Sequence, residues 1–298
     1  MSVVVITGSS TGIGYAAAET LARNGHTVYA TMRNPERSPK LRQFANENNL
    51  PIHILPLDVL DEQSVQGAIN VVLSKEGQID VLVNNAGIHS WGAVEELPLD
   101  LFKLAMDTNY LGTLRCIKAV LPSMRERKTG CIINNTSVAG RVFSNFHGTY
   151  CPSKAAVEAL SETLAQELYP FNIRVALVEP AFIETPIFQK TNEVDPTTQY
   201  PNIKRFLSMF AASLENHESP YLVADLINDI VSGKRNDFRN TAGMFADGFL
   251  NFRASMTDEN WISGVSVTDD DWADGMEQMG LKVKKYMQAE RLPAFNEQ

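Results

Sequence analysis

The sequence predicts a single α/β domain, a doubly wound parallel sheet with helices on both faces and a C-terminal extension. Two observations predict it. Short Val- and Ile-rich runs alternate with longer segments of helical periodicity as far as residue 179, and strands alternating with helices of that length build βαβ units. The first of these runs, residues 3–6, is all Val and Ile, which suits a buried strand. Right-handed crossovers then distribute the helices over the two faces.

The elements follow in order. Residues 3–6 (VVVI) form a first strand that ends at Thr7-Gly8. Residues 12–24 repeat apolar side chains at Ile13, Ala16, Ala17 and Leu21, and Gly25 closes this helix. Residues 27–32 give a second strand, 41–48 a helix, and 52–57 a third strand ending at Asp58. Residues 61–77 are helical and 79–84 form a fourth strand. Residues 99–127 read as one long helix with a kink at Pro122. A fifth strand (130–135), a second long helix (150–168) and a sixth strand (173–179) complete the alternation. Ligands of such sheets sit beyond the carboxyl ends of the strands.

After Thr185 the alternation stops. Residues 189–198 are polar and read as loop, while 203–214 and 222–231 have helical spacing. The main domain is expected over residues 1–235, with 236–298 packed on it or partly a tail. Between residues 255 and 280 stand Asp258, Glu259, Asp269, Asp270, Asp271, Asp274 and Glu277, with no Lys or Arg. Such uncompensated charge predicts a solvated surface or tail, although Trp261 and Trp272 could pack on the domain.

Composition narrows the function classes. Of 298 residues 44% are hydrophobic, enough for a sizeable core. There are 35 acidic against 26 basic residues, a net charge of −9. Phosphate neutralisation needs surplus Lys and Arg, so a nucleic-acid partner is not expected. Cys116, Cys131 and Cys151 are too widely spaced for a disulfide framework or a Cys zinc site. Free thiols in a reducing cytoplasm fit them. The N-terminus has no signal-like h-region, and no apolar run reaches the roughly 18–20 residues of a membrane span. A cytoplasmic protein is expected. His26, His53, His89, His147 and His217 show no ligand spacing, so no catalytic metal is expected.

The turn after the first strand carries the first chemistry. Thr7-Gly8-Ser9-Ser10-Thr11-Gly12-Ile13-Gly14 has the pattern G-x-x-x-G-x-G. Glycines allow a tight turn and close approach to a pyrophosphate, and the helix N-terminus offers free N–H groups to that anion. The Gly-Lys-Ser/Thr ending of a P-loop is absent, which argues against an NTPase.

At this point the chain resembles the short-chain dehydrogenase/reductase family, whose fold is Rossmann-like. Thr7–Gly14 resembles its cofactor turn, and Asn84-Asn85-Ala86-Gly87 matches its N-N-A-G signature. Asn109, Ser137, Tyr150 and Lys154 fall in family order, the last two as Y-x-x-x-K. The resemblance covers roughly residues 1–190 and, more weakly, continues to about 235. Within the family VYATMR (28–33), YCPSK (150–154) and TPIFQK (185–190) look most like the steroid- and retinol-dehydrogenase branch. One departure is Pro180-Ala181, where the family usually has Pro-Gly.

The resemblance implies a nicotinamide cofactor touched by Gly8, Ser10, Thr11, Gly12, Ile13 and Gly14 of the turn. It further implies contacts from Asn85, Ala86 and Gly87, from Tyr150 and Lys154, and from Pro180, Ile183 and Thr185. Asp58 and Val59 look like the pair that flanks adenine. Hydride transfer to a carbonyl leaves an alkoxide that needs a proton, and the reverse needs a base. A tyrosine serves near neutral pH only if a nearby cation favours its phenolate. Tyr150 and Lys154 are i and i+4, on one face of a helix. By resemblance Ser137 hydrogen-bonds the substrate oxygen, Lys154 also grips the ribose, and Asn109 holds a water.

An acid at the end of the second strand would repel a 2′-phosphate. Here Met32 takes that place and Arg33 follows. Arg pairs well with phosphate, so NADP(H) is expected over NAD(H), with Ser10 and Thr11 assisting. His89, Ser90, Trp91, Val138, Phe143, Phe146, Phe188 and the 203–214 helix are candidate pocket residues. That mostly apolar set predicts a lipophilic carbonyl or alcohol substrate. The resemblance implies a homodimer or homotetramer through the long helices 99–127 and 150–168. Two other readings remain at this stage. One is a nicotinamide-binding regulatory protein without turnover, which has no need of a proton relay. The other is a sugar-nucleotide epimerase or dehydratase, disfavoured by the glycine spacing and N-N-A-G.

Overall fold

The computed structural model describes residues 1–188, 197–215 and 217–289. Its strands are β1 (Val3–Ile6), β2 (Thr27–Met32), β3 (Ile52–Pro56), β4 (Val81–Asn84), β5 (Gly130–Asn135), β6 (Ile173–Pro180) and β7 (Arg239–Ala242). They form one sheet in the order β3-β2-β1-β4-β5-β6-β7, and every neighbouring pair is parallel. The order reverses direction between β1 and β4, the switch point where such sheets open a crevice.

The period of two along β1 divides the core. Val4 and Ile6 face helices α1 (Gly12–Arg23), α2 (Lys40–Glu47) and α8 (Pro220–Val231). Val3 and Val5 face the other layer, formed by α3 (Glu62–Glu76), α5 (Gly112–Arg127) and α6 (Tyr150–Leu168). Both faces of the central strands are thus buried, which is why their sequences show no polar alternation. Helix ends use local chemistry: Asp61 Oδ1 accepts from Gln63 N at 2.8 Å, and Gly77 closes α3 with φ of 76°.

The segment expected as one helix over 99–127 is interrupted. It runs as α4 (Leu99–Ala105), a π-helical turn Met106–Leu111, and α5, which continues through Pro122. The wider turn carries Asn109, whose side chain is bound by a neighbouring loop. Such single π turns collect at functional sites.

β7 lies beyond residue 235, so the sheet takes a strand from the segment read as an extension. The remaining elements are α7 (Ile203–Ser213), α9 (Ala246–Ala254), α10 (Asp258–Ser263), α11 (Asp269–Gln278) and α12 (Lys284–Gln288). The acidic stretch 255–280 is not a free tail. Thr257 and Thr268 cap α10 and α11, and Ala273, Leu281 and Val283 bury against Ala212 of α7. Four of its seven acids find cations outside the stretch: Arg253 for Asp258, Arg205 for Asp269, and Lys284 for Asp274 and Glu277. The loop expected at 189–198 falls outside the described residues except for Thr197 and Thr198. Among the described residues no helix is long and apolar enough to cross a membrane.

Candidate active site

A cleft of about 900 Å³ opens at the carboxyl ends of the strands. Its floor is the β1–α1 turn and the ends of β2, β4, β5 and β6, and its roof is α7 and the C-terminal helices. Of the sequence-predicted site residues, all line it except Gly14 and Asn109.

At one end the turn forms a cradle. Gly8 has φ of +70°, and a Cβ there would stand 2.7 Å from the Cα of Ala86. A Cβ on Gly14 would collide with the Gly8 carbonyl and the Asn85 amide. Gly14 therefore holds the turn closed from behind. Helix α1 begins at Gly12 with no side-chain cap on Thr11 and no acid in its first turn. Its leading N–H groups are left for an anion, so a dinucleotide pyrophosphate fits.

Asn85 is the fastener of this cradle. Its amide nitrogen donates to the carbonyls of Thr7 and Gly8 at 3.0 and 3.1 Å. Its Oδ1 accepts from Asn135 at 3.0 Å. The N–H groups of Asn85 and Ala86 both donate to Thr7 Oγ1 at 3.0 Å. The ends of β1, β4 and β5 are locked together through one side chain.

The rim where the sequence places adenosine is lined by Met32, Arg33, Asp58 and Val59. Asp58 Oδ1 accepts from Leu60 N at 3.1 Å, which fixes its carboxylate at the rim. Met32 is buried, whereas Arg33 is exposed and makes no hydrogen bond or ion pair among the described residues. A 2′-phosphate would find an uncommitted guanidinium there.

In the middle of the cleft stand Ser137, Tyr150 and Lys154. Lys154 Nζ donates to the Asn135 carbonyl at 2.9 Å and lies 5.6 Å from the centre of the Tyr150 ring. Burial pushes the Tyr150 hydroxyl well above its ordinary range, and the facing Ser137 hydroxyl pulls it back. Burial also pushes Lys154 down to about 8, against the pull of Glu158. Ser137 Oγ donates to the Pro180 carbonyl at 3.2 Å and accepts from Ala139 N at 3.1 Å.

Asn109 stands behind this group. Its Oδ1 accepts from Ile88 N at 2.8 Å, and its amide hydrogens go to Ile88 O (3.0 Å) and Ser153 Oγ (2.9 Å). Gly87 lies between Asn109 Oδ1 and Lys154 Nζ. Only Oδ1 has capacity left for a water. At the departure from the family pattern, Ala181 has no left-handed φ, so alanine sits there without backbone strain. Thr185 packs over Gly12, and Ile183 bridges to Glu218.

The far end is aromatic. His89, Val138, Phe143, Phe188, Phe206 and Phe210 line it. Trp91 and Phe146 stand one layer behind, packed on Phe206 and Phe210, and Ser90 is bonded to Thr149. Phe206 and Phe210 are thus both core and wall. The sequence reading missed one contribution and anticipated another only in outline. His147 pairs with His89 from 58 residues away, and no local pattern could show that. The C-terminal helices supply Phe249, Phe252, Trp261 and Met276 to the roof, and Trp261 Nε1 donates to the Phe143 carbonyl at 3.0 Å. Their apolar side chains were visible in the sequence, masked by the surrounding acids.

Comparison with known proteins agrees with this geometry. Residues 2–196 match the family described as short chain dehydrogenase. The chain is 35% identical over 245 residues to a 3-ketodihydrosphingosine reductase of Bacteroides thetaiotaomicron, covering 81% of this chain and 87% of that protein. It is 39% identical over 202 residues to retinol dehydrogenase 8 of Bos taurus, covering 66% of this chain and 64% of that protein. The crystal structure of a short-chain dehydrogenase from Streptomyces avermitilis superposes with a TM-score of 0.75 at 29% identity, over 94% of this chain and 97% of that one. The likeness to a retinol dehydrogenase agrees with the branch read from residues 28–33, 150–154 and 185–190. The chain belongs to the short-chain dehydrogenase/reductase family of oxidoreductases.

Proposed function

We propose that this protein interconverts a carbonyl and an alcohol on a lipophilic substrate, with NADP(H) as cofactor and Tyr150 as general acid/base. The observation that carries the reading is the placement of Tyr150 beside Lys154, between the glycine cradle and an aromatic cavity. The bound nicotinamide supplies or accepts the hydride. Tyr150 gives its proton to the substrate oxygen in reduction and takes it back in oxidation. Lys154, anchored on Asn135 O, puts a positive charge where the phenolate forms. Ser137 turns its hydroxyl from the Pro180 carbonyl to the substrate oxygen and orients it.

Met32 and Arg33, which has no partner among the described residues, support the phosphate-bearing cofactor. The aromatic walls support a lipophilic substrate. So do the names of the relatives, since retinol and 3-ketodihydrosphingosine are both largely hydrocarbon. The test is NADPH consumption across a panel of carbonyl compounds. Bulky apolar ketones and aldehydes are expected to turn over. Turnover confined to small polar sugars would reject the lipophilic substrate, and equal affinity for NADH and NADPH would reject the cofactor preference.

A further inference from the structure

The proton transfer assigned to Tyr150 leaves two buried imidazoles without a task. His89 and His147 are each 6% exposed, and their Nε2 atoms stand 3.0 Å apart. His147 Nδ1 is paired with Ser144 Oγ at 2.8 Å. The fourth nitrogen, His89 Nδ1, is buried with no hydrogen-bond partner among the described residues. Buried polar atoms are normally satisfied, so an orphan asks for a missing partner.

The described residues around it are largely apolar rings. The His89 ring packs on Trp91, Phe188 and Phe210 at centroid distances of 5.2, 5.5 and 6.3 Å. It also meets the Tyr150 ring, 4.7 Å away and inclined at 62°. Both histidines line the cleft. Burial holds both neutral, with His147 pushed down to about 3. A neutral imidazole carries one N–H, so one Nε2 donates and the other accepts. Two arrangements of the Ser144–His147–His89 chain satisfy this. In one, Ser144 donates to His147, His147 donates to His89, and His89 Nδ1 is an N–H donor. In the other every bond is reversed and His89 Nδ1 is an acceptor. The chain can therefore present either polarity with no change of charge.

We propose that His89, oriented by His147 and Ser144, is a specificity determinant whose Nδ1 hydrogen-bonds a second oxygen, hydroxyl or carbonyl, on the substrate. The proposal rests on the reading of Tyr150 as the reacting end of the site. Because the two rings touch, the second oxygen lies within a few bonds of the reacting carbon. The substrate class is a lipophilic diketone or hydroxyketone rather than a simple ketone.

The probes are 1-phenyl-1,2-propanedione and 1-phenyl-1,3-butanedione, each against 1-phenyl-1-butanone. The quantity read is the ratio of kcat/KM for dione over monoketone, in wild type and in His89→Phe. The variant keeps a ring of similar size and removes both nitrogens. That ratio is expected to fall by about 10- to 100-fold, the discrimination that one unpaired site group gives. His89→Asn, which keeps a hydrogen-bonding group, is expected to restore part of it. An unchanged ratio overturns the proposal. Imidazole ¹⁵N shifts of the NADP⁺-bound wild type, which cannot reduce a ketone, give a reading without turnover. A dione is expected to move the His89 Nδ1 signal and the monoketone is not. Equal movement with both, or none with either dione, also overturns the proposal. A selective shift with no turnover of any probe would uphold the recognition and reject the reading of Tyr150.

Discussion

Lys154 and Tyr150 stand one turn apart on α6, with the Lys154 ammonium 5.6 Å from the centre of the Tyr150 ring. Burial works on them in opposite directions, raising the phenol and lowering the ammonium to about 8. At that distance an ammonium favours a phenolate over a phenol. Removing the cation as Lys154→Met disfavours the phenolate, so the pKa of Tyr150 rises. In the proposed mechanism alcohol oxidation requires the basic form of Tyr150. The pH profile of kcat/KM for oxidation is expected to move to higher pH by about 1 to 3 units, the range for loss of a neighbouring charge. Rates measured from pH 6 to 10 check this.

Arg33 tests the cofactor preference. It is exposed at the rim beside a buried Met32 and has no partner among the described residues. Arg33→Asp removes the proposed phosphate contact and adds a carboxylate suited to a free ribose. A charged hydrogen bond contributes about 1.5–3 kcal/mol, so NADPH affinity is expected to fall about 10- to 100-fold. NADH affinity is expected to hold or rise. Fluorescence titration of both cofactors measures the two effects.

Much of this was legible in the sequence, for definite reasons. The strands of the central sheet are buried on both faces, so their Val and Ile runs stand out. The cradle was legible because a pyrophosphate imposes glycine at fixed spacing. Three features were not. The π turn at Met106–Leu111 leaves no mark in a helical pattern, because Asn109 is drawn out by Ile88, 21 residues away. β7 reads RNTA, mostly polar, and owes its place to β6 and to Arg239 pairing with Glu158 and Glu162. The roof hides Ala273 in an acidic helix and Leu281 and Val283 beside lysines, and the Arg205 that pairs with Asp269 is 64 residues away.

Asn109 holds the π turn to the loop after β4 by a matched pair of bonds to Ile88 N and O, at 2.8 and 3.0 Å. Asn109→Leu leaves both backbone groups unpaired. The expected loss of stability is about 1–3 kcal/mol for each buried group left unsatisfied. Urea unfolding followed by circular dichroism measures it. Asn109→Asp restores only the acceptor and is expected to fall between the two.

The histidine pair also makes an acid-sensitivity prediction. Burial lowers His147 to about 3, and lowers His89 through burial first, then through His147 and Lys154. In the unfolded chain both take a proton near pH 6.5. Below that pH the unfolded state binds more protons, so stability falls as pH falls. For His147 the penalty grows at about 1.4 kcal/mol per pH unit between about 6.5 and 3. At pH 7 and above it is absent. His147→Phe is expected to flatten the stability curve between pH 6.5 and 5, as read from denaturant midpoints.

The central claim is that Tyr150 is the acid/base of a nicotinamide-dependent carbonyl–alcohol interconversion. Its most direct test is Tyr150→Phe, assayed with NADPH and the best apolar ketone of the panel, alongside the variant's Kd for NADPH. The account predicts unchanged folding, a Kd within a few-fold of wild type, and a fall in kcat of about 10²- to 10⁴-fold, the usual contribution of a general acid. A variant that binds NADPH normally and still reduces the ketone at the wild-type rate would contradict it.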